Sequence, residues 1–246
     1  MRASRPEPNL PSDEVLPVPP PPPRLGGGEA YNQCLDMIEQ DPEGALGFAQ
    51  KLSGDAALHC EALAQIELGN AGLGAPILMQ IGQDTAEAPS ARAAILGQAS
   101  RAFLMIDQPA QARIASQAAL TLLPDDPDLH FDDALAALAT KNFPAAVKDL
   151  DISLAADPKR SEALVARATS LRQLNQLPQA IDNANQALAL DPNNQDALLE
   201  RGIVEQRQGN PAAARADWVR VQQIDPNSSS ADLATQNLAL LDAAGE

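Results

Sequence analysis

The chain has 246 residues, 45% hydrophobic but only 2% aromatic. Alanine and leucine carry the apolar content, which suits close helix packing better than β-strands. With 33 acidic against 17 basic residues and a net charge of −16, the surface repels a phosphate backbone and an anionic bilayer, so neither is an expected partner. No apolar run approaches the ~20 residues that span a membrane, which argues against direct membrane insertion.

Residues 1–29 read as a disordered Pro/Gly-rich tail. Nine prolines fall within the first 23 positions, Pro19 to Pro23 without interruption, and such a run favours polyproline II. Gly26, Gly27 and Gly28 add a flexible joint. The tail is either a spacer or a ligand for a proline-binding groove. It carries Arg2 and Arg5 but no apolar signal-peptide core. The protein is therefore cytoplasmic, or it is periplasmic with an export signal upstream of residue 1.

Residues 30–92 read as irregular helices. Tyr31, Cys34, Leu35 and Ile38 follow i, i+3, i+4, i+7 spacing, one face of a helix that Asp41-Pro42 ends. A short helix near 43–52 and another over 56–69 follow, the latter closed by Gly69-Asn70. Gly72, Gly74 and Pro76 then disturb the pattern. Cys34 and Cys60 lie on two predicted helices. They form either a disulfide, which implies an oxidising compartment and favours the periplasm, or two buried thiols.

From 93 onward the pattern becomes periodic. Asp-Pro pairs put Pro158, Pro192 and Pro226 at steps of 34, with Pro124 one step earlier. Ala112, Ala146, Ala180 and Ala214 keep the same step, as do Ser100, Ala134, Ala168 and Gly202. Small residues are needed where two helices of a hairpin cross closely. Pro109, Pro144, Pro178 and Pro211 suit the first turn of a second helix, where the missing N–H is no loss. The Asp-Pro pairs stop that helix and turn the chain into the next unit.

A 34-residue helix–turn–helix period with these small residues and prolines resembles the tetratricopeptide repeat, of the kind found in bacterial scaffold proteins. The segment SEALVARATSLRQLNQLPQAIDNANQALALDPNN matches it best. The resemblance implies an all-α, right-handed solenoid with four repeats over 93–228: 93–126, 127–160, 161–194 and 195–228. A degenerate hairpin at 55–88 is offset by a four-residue insertion near Ala88-Pro89. A capping helix and C-terminus occupy 229–246, with Ser229 and Asp232 as a capping box. The usual aromatics are mostly missing, Trp218 excepted, and Glu205 stands where a buried tyrosine is usual.

The resemblance further implies that the first helices of successive repeats line a groove for a protein or peptide. The matching positions are Arg101, Met105, Phe131, Leu135, Val165, Thr169, Arg172, Leu199, Ile203 and Arg207, an apolar strip dotted with arginines. It would suit a peptide with apolar anchors and carboxylates. Where a chaperone carboxylate clamp needs lysine and asparagine, this chain has Phe131 and Leu135, Val165 and Thr169, Leu199 and Ile203. The C-terminal tail of a heat-shock chaperone is therefore not an expected partner. Neither His59-Cys60 nor the acidic stretch at Asp125–Asp133 makes a metal site, no phosphate-cradling, zinc-protease or nucleophile-elbow motif occurs, and no cofactor is implied. The expectation is a non-enzymatic scaffold or adaptor. The alternatives are an accessory subunit of an enzyme or export machine and, remotely, a hydrolase.

Overall fold

A computed structural model describes residues 25–26, 28–84 and 86–244; the proline-rich tail expected at 1–29 falls largely outside them. The described residues form helices only. The first four are α1 (Gly28–Met37), α2 (Pro42–Ala49), α3 (Gly54–Glu67) and α4 (Ala71–Asp84). Then come α5 (Pro89–Met105), α6 (Pro109–Leu122), α7 (Pro127–Ala139) and α8 (Phe143–Ala156). The last are α9 (Ser161–Gln173), α10 (Leu177–Leu190), α11 (Gln195–Arg207), α12 (Pro211–Ile224) and α13 (Ser229–Ala244).

Each helix packs on its chain neighbours. The odd-numbered helices also meet each other, α5 on α7, α7 on α9, α9 on α11 and α11 on α13, whereas the even-numbered helices make no extended contact with one another. From α5 onward the odd helices therefore form a continuous inner wall, and the even helices form an outer layer. Such a solenoid has no central core; each hairpin buries the face its neighbour leaves open.

The small residues sit at the crossings. Ala112, Ala146, Ala180 and Ala214 are fully buried, as are Ser100, Ala134 and Ala168. Gly202 faces Trp218, and a Cβ there would fall onto the indole ring. The midway prolines occupy the first turn of α6, α8, α10 and α12. At the other end of these helices, the carboxylates of Asp157, Asp191 and Asp225 accept from the backbone N–H two residues on, at 2.9, 2.9 and 3.0 Å. That closes the turn each Asp-Pro pair begins.

Gly72, Gly74 and Pro76 do not interrupt the chain: α4 runs through them. Gly74 lies so close to α3 that a Cβ would come within 2.5 Å of the Ala62 carbonyl oxygen. The glycine that weakens the local helical pattern is what lets the two helices touch. The four extra residues enter as helix. The 17-residue α5 is one turn longer than α7, α9 and α11, at 13 residues each. Arg92, in that added turn, donates to the carbonyls of Gly82 and Gln83 at 3.0 and 2.9 Å and satisfies the end of α4. The capping residue of α13 is Ser228 rather than Ser229. Its Oγ accepts from Ala231 N at 3.1 Å while Gln195 Nε2 holds it at 2.9 Å.

Cys34 and Cys60 are bonded, with Cα atoms 6.2 Å apart, and join α1 to α3. His130 is buried. One ring nitrogen lies 2.9 Å from Asp149 Oδ1 and the other 2.9 Å from the Pro124 carbonyl oxygen. It ties α7 to α8 and to the preceding turn, a packing role.

Candidate functional site

The inner wall changes character along its length. In the C-terminal half it is a closed seam. Val165 and Ile203 are half-buried against a cluster that includes Leu198, Leu199 and Trp218. The Thr169 hydroxyl donates to the Val165 carbonyl one turn back, at 3.1 Å. Arg172 is buried and forks onto Glu200, Nε to Oε1 at 2.5 Å and Nη2 to Oε2 at 3.2 Å. Burial pushes the Glu200 carboxyl up, and the Arg172 hydrogen bond holds part of that rise back. Arg207 donates to the Arg172 carbonyl at 3.2 Å.

The middle is similarly occupied. Phe131 is half-buried, and the Arg160 guanidinium lies over its ring at 3.9 Å. Arg160 in turn pairs with Asp128 at 2.5 Å. Leu135 packs against a cluster containing Ala163 and Ala166. Met105 is 64% exposed at the end of α5.

The inner wall opens between α3 and α5, which make no extended contact. A groove of about 900 Å³ occupies this gap. Its apolar surface comes from Leu35 on α1, Ile38 in the turn that follows it, Leu63 on α3, Ala94 on α5, Leu123 after α6 and Leu129 on α7. The added turn of α5 contributes Ser90. Polar groups cross the gap: His59 Nε2 donates to Gln98 Oε1 at 2.7 Å, which leaves Nδ1 to accept from the Tyr31 hydroxyl at 2.6 Å. Burial pulls the His59 pKa down, partly countered by Gln98, which favours the neutral ring. Beside it, Arg101 Nη1 meets the buried Asp132 at 2.6 Å. Burial raises the Asp132 carboxyl and Arg101 pulls it back. Gly97 makes room here; a Cβ would come within 3.0 Å of Asp132 and Leu129.

Of the ten groove positions inferred from the repeat pattern, Arg101 lines this opening. The others lie further along the wall, where most are packed. The repeat pattern is faint over α1 and α3 and does not reach the lining residues there. The signal that could have found them is the four-residue insertion, which breaks the regular spacing at this point. Among the described residues no group of three or more His, Cys, Asp or Glu side chains could hold a metal ion, and no helix is long and apolar enough to cross a membrane.

Stacked helical hairpins with an inner wall define the class, an α-solenoid. Residues 165–229 match a model of the tetratricopeptide repeat family. Solved structures agree on the fold. MamA is 12% identical, with a TM-score of 0.56 over 67% of this chain and 94% of its own. MamA from Desulfovibrio magneticus RS-1 is 15% identical, with a TM-score of 0.52 over 82% and 99%. The APC/C hetero-tetramer Cut9-Hcn1 is 15% identical, with a TM-score of 0.63 over 86% of this chain and 46% of the matched one. No curated protein matches the sequence.

Proposed function

We propose that the chain is a non-enzymatic scaffold that binds a segment of a partner protein in the groove between α3 and α5. The observation that carries this reading is the opening itself. Further along, most of the inner wall is packed by its own side chains; here about 900 Å³ stays accessible, lined by apolar residues. Pockets of this size, mostly apolar with a few oriented polar groups, are the usual form of a binding site. The repeat architecture supports the same reading, because solenoids present extended surfaces to other proteins. The Cys34–Cys60 bond supports an oxidising compartment for this work.

A photo-cross-linking residue at Ala94, in the groove, and another at Arg220, exposed on α12, test the assignment. Adducts with one protein from Ala94 and none from Arg220 are expected, and Ala94→Arg should remove that protein from affinity purifications. Adducts from Arg220 alone, or binding untouched by Ala94→Arg, would place the site elsewhere. An accessory subunit would instead stay with its partner enzyme through purification whatever stands at position 94.

A further inference from the structure

The repeat pattern by itself points to a peptide bearing carboxylates, because three arginines fall on the inner wall. At the groove the structure offsets that basis. Arg172 is buried on Glu200, the exposed Arg207 stands on α11 outside the groove lining, and Arg101, 53% exposed, is paired with the buried Asp132. The charge left at the groove has the other sign. Four carboxylates line it, Glu39, Asp126, Asp128 and Asp132, against two guanidinium groups, Arg101 and Arg160. Both guanidinium groups already face carboxylates. His59 is buried between Tyr31 and Gln98, where burial disfavours its charged form. Glu39 is exposed and makes no ion pair among the described residues. The Asp128 side chain is 76% exposed even while it holds Arg160. The whole chain carries −16, so its long-range field attracts cations towards an opening with an acidic rim.

We propose that the groove takes a cationic segment of a partner protein, with apolar side chains seated on Leu35, Leu63 and Ala94 and lysine or arginine at the Glu39 and Asp128 rim. This rests on the groove assignment above and adds the chemistry of the occupant. Apolar contacts supply holding strength, while the rim supplies encounter rate and sign selection. An acidic segment would meet unpaired like charge at the rim, which discriminates against it.

The test uses two fluorescein-labelled probe peptides of equal length, one alternating leucine with lysine and the other leucine with glutamate, titrated against the full chain by anisotropy. The lysine probe should bind at least tenfold more tightly. Glu39→Lys should weaken it by about tenfold, and Asp182→Lys, the same charge change at an exposed position on the outer helix α10, by less than about twofold. Ala94→Arg should abolish it, with helical content unchanged by circular dichroism. Equal binding of both probes would mean that charge plays no part, and equal effects of Glu39→Lys and Asp182→Lys would mean attraction to the acidic surface at large; either result would overturn the proposal. Cross-links from Ala94 to residues 1–24 of the same chain, with no probe bound, would also overturn it by naming another occupant. If neither probe binds while a partner still cross-links through Ala94, the groove assignment stands and the cationic class falls.

Discussion

Arg172 and Glu200 show how much a single side chain's meaning depends on its partner. The pair is buried and doubly hydrogen-bonded. Removing one member leaves the other charge without compensation in a poorly hydrated place. Arg172→Ala is expected to cost about 3–5 kcal/mol, and replacing both residues with leucine or methionine considerably less. Urea unfolding of the three proteins checks this; equal losses for the single and double replacements would show that the pair stabilises by packing rather than by charge. His59 makes a second prediction. Its folded pKa is lowered by burial, so below about pH 6.5, the ordinary histidine value, the unfolded chain binds more protons and stability falls as pH drops. Asp132, Asp133 and Glu200 have raised values. They act oppositely, favouring the folded state as pH falls through those raised values towards the ordinary carboxylate range near 4. The loss in unfolding midpoint between pH 7.5 and 5.5 should therefore be smaller in His59→Gln than in the native chain, and an unchanged loss would remove His59 as its source.

The turn joining the two helices of each hairpin shows a periodicity that residue types conceal. Asp107, Lys141, Asn175 and Gly209 stand 34 apart, and all have positive φ, from 55 to 85°. One residue later Gln108, Asn142, Gln176 and Asn210 each donate a backbone N–H to the carbonyl five residues back, at 2.7–2.9 Å. Gly69 and Asn70 do the same, 38 residues before the next turn, the period plus the four residues that lengthen α5. This is the Schellman closure of a helix end. Glu205, at a position usually buried, uses the same turn: its carboxylate accepts from Asn210 Nδ2 at 2.7 Å. Four unlike residues share a conformation rather than a chemistry, so a search for recurring residue types passes over them. Lysine is costly in the left-handed region and glycine is not. Lys141→Gly should raise stability by about 1 kcal/mol, and Lys141→Val should lower it. A destabilised glycine variant in urea titration would mean that the lysine side chain compensates for its backbone.

Over the entire solenoid, stability is a chain of neighbour contacts, so the ends can open while the middle holds. At the N-terminal end α1 packs only on α2 and α3 in extended contact and is bonded to α3 through Cys34–Cys60. A link across 26 residues constrains the unfolded chain by about 3 kcal/mol on the loop-entropy account. Hydrogen exchange of Cys34→Ser is expected to rise in α1 and α2 and to remain near native from α7 to α10. Uniform acceleration along the chain would show that the solenoid unfolds as one cooperative unit.

The repeat step, the small residues at helix crossings and the prolines of the second helices can be read from residue identity alone. Each reflects a local or near-neighbour demand that recurs every 34 positions, so residue type reports it directly. The continuous α4 was not readable in this way, because Gly74 weakens the helix locally and is repaid only where α3 passes against it. The site was less legible still. Arg101, Arg172 and Arg207 look alike along the chain, yet each is held by a group 28 to 35 positions away on another helix. Which charges remain for a partner depends on those distant neighbours, and so does the opening between α3 and α5. Packing across repeats therefore converts an expected arginine-dotted strip into an acidic-rimmed groove.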